Sequence, residues 1–481
     1  MKKNYFYNLL LSIANILFPI LSFPYVSRIL GPVGIGKVQL VVSFAQYFAL
    51  IAAMGIPIYG IQAIARNRHD AKKLATVFSE LVSICFISSL LLSIIYLGII
   101  FYFPFFSSNI HLYCYAVLII LLGFSSIDWF YSGLEEFKVI ALRSVVIKAL
   151  SLIYLFIYVK NKDDFGLYLG LTIFSILGNN IISMVIAGAR TGMVFKNLNL
   201  AQHVKPLFYI LSSSVATSMY TILDTVILGF LSNETAVGLY TASIKLTKIT
   251  IPFIISFGVV LLPKLTKSVS DNNWKEAQHL LGESFHFISF FSVPVLMGLM
   301  VLAPEFIIVF SGSGFTPAIV SMRILSFLPL LIGFGYFFTF QILLPSGKNR
   351  EMFLSVVAGM VAGLLLNFLL VPSLKEMGAA IANISCELVI AVSSFYFVRR
   401  YFDFNFKWEL LLKAIIGSLI FFPIVLFVRL FEMNVIPSLL ISFVLCTSSY
   451  FLTQYFLFKD PFMFKMLDLV YLKLNVKKAA H

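Results

Sequence analysis

The sequence predicts an all-α polytopic membrane protein of about fourteen transmembrane helices: two pseudo-symmetric six-helix bundles followed by a C-terminal helix pair. Three observations carry this prediction. Mean hydropathy is +0.98, and 60% of the 481 residues are hydrophobic against 12% charged, where soluble domains carry about 25% charged residues. Apolar runs of the roughly 20 residues needed to cross a bilayer core recur from end to end. A weak internal repeat relates the two halves of the chain.

The chain begins with Met1-Lys2-Lys3 and a long apolar run with no short h-region before a cleavage site, so no cleavable leader is expected. That first run carries Pro19 and Pro24, then Ser27-Arg28-Ile29-Leu30-Gly31-Pro32 and Gly34-Ile35-Gly36-Lys37. Each proline removes a backbone hydrogen bond and bends a helix. In a membrane the freed carbonyls need partners at a cavity or a neighbouring helix. The stretch therefore reads as the bent wall of a transport path, with Arg28 at its outer mouth.

Spans are expected at 5–27, 38–64, 77–104, 111–134, 139–159, 166–188, 206–231, 235–262, 281–310, 316–345, 352–371, 378–398, 410–430 and 436–458. With an internal N-terminus, 25 of the 35 Lys and Arg fall in inside segments or at inner helix ends, six fall outside and four within spans. This positive-inside bias places both termini in the cytoplasm. It also accounts for the net charge of +14 without nucleic acid as a partner. The bundles are expected at 1–200 and 201–400, with the extra helix pair and a basic tail at 401–481. No loop is long enough to fold as a catalytic domain.

The repeat pairs Ile29-Leu30-Gly31, Gly36 and Ser43 with Ile227-Leu228-Gly229, Gly238 and Ser243. Because the offset is six spans, the copies run the same way through the membrane. Cys85, Cys114, Cys386 and Cys446 all lie in apolar runs and read as small core residues, not as disulfide or metal ligands. The six histidines show no metal spacing, and no phosphate loop or nucleophile elbow is present, so no enzyme and no metal site are expected.

Charges inside spans are expensive, at least ~2.5–3.5 kcal/mol each, and mark function or pairing. The cations are Lys148, Lys245, Lys248 and Arg323, with Arg28 at a span end. Lys245 and Lys248 share one helix face next to Pro252, which suits an anionic group such as a pyrophosphate. These five are the candidate substrate-binding cations. Asp128, Asp224 and Glu387 are candidate ion-coupling or gating groups, or salt-bridge partners of the cations. Asp224 holds nearly the place in the second half that Arg28 holds in the first.

Several motifs resemble those of Wzx-type O-antigen and polysaccharide flippases, in the multidrug/oligosaccharidyl-lipid/polysaccharide (MOP) exporter superfamily. They are the opening Lys3-Asn4-Tyr5-Phe6-Tyr7-Asn8 with Pro24 through Gly36, Asp128 through Lys138 with Arg143 and Lys148, Tyr220 through Gly229, Gly238-Leu239-Tyr240, and Leu261 through Leu265. The resemblance covers most of 1–400. It implies a MATE-like fold in the bacterial inner membrane and a cationic central cavity. It also implies alternating-access transfer of undecaprenyl-diphosphate-linked oligosaccharide to the outer leaflet. Arg28 occupies the family's first-helix arginine position. H+ or Na+ is the expected coupling ion, with no other cofactor, and polysaccharide polymerase and chain-length machinery are expected partners. The competing readings are a peptidoglycan lipid II flippase, a MATE-type small-molecule exporter and, least favoured, a glycan polymerase.

Overall fold

The computed structural model describes residues 2–194, 196, 198–404 and 406–464. The basic tail with Lys465, Lys473, Lys477 and Lys478 lies outside the described residues. Among the described residues there is no β-strand, and eleven stretches are long and apolar enough to cross a membrane. Fourteen were expected. The number differs because α1 and α15 each carry two expected spans, or parts of them, in one run across an internal break, and because Ile222–Leu231 is the described apolar part of α8 (Ala201–Leu231). Contacts divide the chain into two units, Met1–Thr241 and Ala242–His481.

In the first unit α1 runs Lys2–Ala52, interrupted at Gly31 (φ 66°, ψ −177°), a conformation open essentially to glycine alone. A straight helix of that length would measure about 75 Å, more than twice a bilayer core. Instead α1 doubles back. It is followed by α2 (Ile56–Asn67), α3 (Ala71–Tyr102), α4 (Ile110–Leu121), α5 (Asp128–Gly133), α6 (Phe137–Tyr158) and α7 (Phe165–Thr191). Asn15 meets Lys148 and Tyr25 Oη donates to the Val159 carbonyl at 3.0 Å, so the first arm of α1 runs parallel to α6. The Ala52 carbonyl accepts from Ser88, while Phe44 packs 5.3 Å from Tyr96, so the second arm runs antiparallel to α3. Antiparallel contacts then link α3 to α4, through Tyr96–Tyr113 and Phe86–Phe124, and α5 to α6, through Asp128–Arg143. The two arms of α1 therefore point in opposite directions, and the reversal is at Gly31.

The helix that begins the next pass is α9 (Glu234–Lys248), and it crosses the second arm of α1 backbone to backbone. A Cβ on Gly36 would lie 1.7 Å from the Glu234 carbonyl oxygen; one on Gly238 would lie 1.9 Å from that of Pro32. Glu234 precedes Gly238 by four residues, as Pro32 precedes Gly36. The contact is therefore reciprocal, and its two glycines are the pair matched by the internal repeat. Beside it, Lys37 Nζ lies 3.8 Å from Glu234, and Asn109 Nδ2 donates to the same carboxylate at 3.0 Å.

The second unit contains α10 (Ile251–Ser270), α11 (Trp274–Val301), α12 (Ala303–Ser311), α13 (Ala318–Leu325), α14 (Leu328–Tyr336), α15 (Asn349–Tyr401), α16 (Trp408–Leu419), α17 (Phe421–Arg429) and α18 (Val435–Leu452). The second long run, α15, breaks at Lys375 (φ 49°) and folds into a hairpin. A Cβ on Gly378 would lie 2.6 Å from the Leu370 carbonyl, eight positions earlier, where a straight helix would separate them by about 12 Å. Gly359 likewise packs on the Cys386 carbonyl. Two π-helical turns, Phe337–Leu343 and Thr453–Leu457, each aim a buried glutamine at a glycine: Gln341 at Gly258 and Gln454 at Gly417.

The last helices are bound into this unit at both ends. At one end, Arg429 pairs with Glu305 through Nε and Nη2 at 2.7 and 2.9 Å, and Nη2 also donates to the Val301 carbonyl. At the other, His286 Nε2 meets Asp460 at 2.9 Å. Burial alone would raise the Asp460 carboxyl. The His286 bond and charge, with the backbone N–H groups of Phe462 and Met463, hold it below the usual range.

The glycine crossing yields a contrast. Gly36→Val or Gly238→Val must push apart two backbones, which have no rotamer to yield. The expected cost exceeds the ~1–3 kcal/mol of ordinary overpacking, and is read as loss of membrane yield and of thermal stability in detergent. Gly98→Ala, whose Cβ meets nothing within 4 Å, should change stability by no more than about 1 kcal/mol. Wild-type stability in both valine variants would contradict the role of the crossing.

Candidate functional site

The first unit buries its polar chemistry where α5, α6 and α7 meet. The irregular segment 122–127 between α4 and α5 turns the chain so that Asp128 opens α5. Arg143 of α6 donates through Nη2 to Asp128 Oδ1 at 2.7 Å and through Nε to Asn179 Oδ1 at 3.2 Å. The arginine side chain is 5% exposed and the aspartate 52%. Arg143 Nη1 is buried and, among the described residues, has no hydrogen-bond partner. Five positions on, Lys148 reaches Asn15 of α1.

The other expected residues of this unit lie elsewhere. Arg28 is exposed in the last turn before the Gly31 break, and its Nη1 donates back to the Pro24 carbonyl at 2.6 Å. Asp224 is buried in α8 and accepts from Tyr240 of α9 at 3.3 Å. In the second unit, Lys245 and Lys248 sit half-buried in the last turn of α9, where cations suit the negative helix end. Pro252 stands in the first turn of α10, so the expected span 235–262 is two helices with a break at 249–250. Arg323 is exposed in the last turn of α13 and makes no ion pair among the described residues. Glu387 is buried in the second arm of α15, an arm that also buries Asn383.

The structure thus brings Asp128 to Arg143 and Lys148 to Asn15. Arg143 had counted as an inner-end charge and as part of the resemblance, but not as a candidate site residue; its burial depends on residues 15 and 36 positions away. Sequence reading also missed a buried network that holds the start of α8 to α3. Glu80 accepts from the Asn199 backbone N–H at 2.7 Å, from Gln202 at 3.0 Å and from His203 at 2.9 Å, while His203 Nδ1 meets Tyr59 Oη at 2.8 Å. No group of His, Cys, Asp and Glu suited to a metal ion occurs among the described residues.

The unequal exposure of the Arg143–Asp128 pair predicts unequal costs. Asp128→Ala leaves a buried guanidinium held by Asn179 alone. It should lose a few kcal/mol, less than the ~3–5 of a pair buried on both sides. Arg143→Met leaves a carboxylate that is half exposed, and should lose no more than about 1 kcal/mol. Thermal unfolding in detergent reads the difference; equal losses would contradict this geometry.

The geometry has clear relatives. The polysaccharide biosynthesis protein family model matches residues 1–269. A candidate O-antigen transporter of Escherichia coli (strain K12) is 24% identical over 416 residues, covering 83% of this chain and 97% of that protein. Among solved structures, lipid II flippase MurJ in an inward closed conformation superposes with a TM-score of 0.67 at 15% identity, covering 93% of this chain and 99% of that one. An inward-facing multidrug resistance MATE family transporter of the MOP superfamily gives 0.60 at 16% identity, over 81% of this chain and 94% of that one. The fold is therefore the one shared by MurJ and that MATE family transporter, and the protein is a multi-pass membrane transporter, not an enzyme. With more than half of its length matched, the chain belongs to the polysaccharide biosynthesis protein family.

Proposed function

We propose that the protein carries undecaprenyl-diphosphate-linked oligosaccharide repeat units, of an O-antigen, capsule or similar surface polysaccharide, from the cytoplasmic to the outer leaflet by ion-coupled alternating access. The likeness along nearly the whole length of the candidate O-antigen transporter supports this reading. The observation that carries it furthest is Arg143: a buried guanidinium with an unused N–H, held by a carboxylate that is half exposed. Guanidinium groups bind phosphate bidentately, and a partner that is half exposed is a partner that substrate can reach and displace. Lys148, Lys245, Lys248 and Arg323 add cations for a diphosphate, with Arg28 at the outer mouth. Exporters of cationic amphiphiles need the opposite balance.

In this reading a proton or sodium ion acts at Asp128, Asp224 or Glu387. Neutralising Asp128 would loosen Arg143 from its partner and so link ion binding to phosphate binding. The charge bias puts both termini in the cytoplasm, and polymerase and chain-length machinery receive the product. A lipid II flippase is the second reading, favoured by the MurJ-like fold; its substrate carries the same diphosphate.

The test is complementation of a strain that lacks its own lipid-linked oligosaccharide flippase. Wild type should restore surface glycan. Lys148→Ala and the Lys245→Ala/Lys248→Ala double variant should lower it roughly 10- to 100-fold, as expected for charge-assisted phosphate contacts, at unchanged protein level in the membrane. Full display by every variant would overturn the cation assignment. Rescue of a lipid II flippase deficiency instead would establish the second reading.

A further inference from the structure

The second unit contains a cavity of about 670 Å3, within the size range of small-molecule sites, that the transport reading leaves unused. It opens where the start of α11, the end of α15 and the start of α16 converge. His279, Glu283 and His286 of α11 line it at positions i, i+4 and i+7, one face of that helix. Arg399 faces them from α15, and Asp403 and Lys407 from the connection to α16. Among the described residues Arg399, Asp403 and Lys407 make no ion pair, so these charges are not committed to holding the fold. The wall formed by Pro461 is fixed by its neighbour Asp460, which bonds His286 and also accepts from the Phe462 N–H at 2.8 Å.

Its depth in the membrane follows from the aromatic residues around it. Trp274 packs 5.9 Å from Phe402, Trp408 packs 5.6 Å from Phe285, and Lys348 Nζ lies 4.1 Å over the Tyr401 ring. Tryptophan and tyrosine collect at the level of lipid head groups, and below this level α11 continues as an apolar span. The apolar members of the lining, Phe285, Phe404 and Leu410, suit the point where a head group gives way to acyl chains.

The two signs of charge select the occupant. A simple anion would meet Glu283 and Asp403; a simple cation would meet Arg399 and Lys407. We propose that this cavity is a binding site for a zwitterionic membrane phospholipid, whose phosphate lies by Arg399 and Lys407 and whose ammonium group lies by Glu283 and Asp403. A phosphoethanolamine head has that chemistry. The site is independent of the substrate assigned above and remains if that assignment fails.

The full-length protein, purified and incorporated into vesicles of equal parts phosphatidylethanolamine and phosphatidylglycerol, tests this by native mass spectrometry of retained lipid. Wild type should retain the ethanolamine lipid over the glycerol lipid by roughly threefold to fivefold, the worth of one exposed ion pair. Glu283→Gln/Asp403→Asn should keep bound lipid but lose the preference, and Arg399→Gln/Lys407→Gln should lose both. Soluble phosphoethanolamine should not displace the lipid; displacement at equal concentration would make the ligand a water-soluble phosphoamine and overturn the lipid assignment. Equal retention of the two lipids by wild type would overturn the proposal without any variant. All four side chains are exposed or half-buried, and thermal unfolding in lipid-free detergent verifies that each variant is folded.

Discussion

The backbone contact between Gly36 and Gly238 constrains everything around it. Two helices can approach so closely only where neither carries a side chain, and here each glycine lies against the carbonyl four residues before the other. Membrane helices associate through packing of small residues because lipid provides no hydrophobic drive between them. The reversal at Gly31 delivers Gly36 to this crossing, and the end of α8 delivers Gly238. The glycines paired by the internal repeat are thus a helix-packing surface, and the repeat they define is a reciprocal contact.

Polar groups in the described core fall into two kinds. Some are paired so as to hold helices together: Glu80 with His203, Arg429 with Glu305, His286 with Asp460. Arg143 differs, because one of its nitrogens is buried without a partner among the described residues and its carboxylate partner is half exposed. A group placed this way is costly if it only supports the fold. The cost is understandable if another anion takes the place of Asp128 during each transport cycle.

The helical, membrane-spanning character was legible because hydropathy is set residue by residue, and the turns at Gly31-Pro32 and near Lys375 because reversal of a helix needs a local break. The charges that pair across helices were less legible. Asp128 stood out as an acid in a span, but Arg143 looked like an interfacial cation, since nothing local shows that α5 and α7 enclose it. Glu80 and His203 are 123 positions apart and meet only in the fold. The two π-helical turns left no mark in the apolar pattern, which does not register one extra residue in a turn.

The central claim is that a lipid-linked diphosphate crosses the membrane through this chain. The direct measurement is on purified protein in vesicles loaded in one leaflet with undecaprenyl-diphosphate-linked oligosaccharide, with a sugar-binding probe reporting the opposite leaflet. The account predicts appearance of the sugar in the far leaflet at a rate proportional to protein, increased by a proton or sodium gradient and lost in a Gly238→Val protein. Appearance no faster than in protein-free vesicles would contradict it.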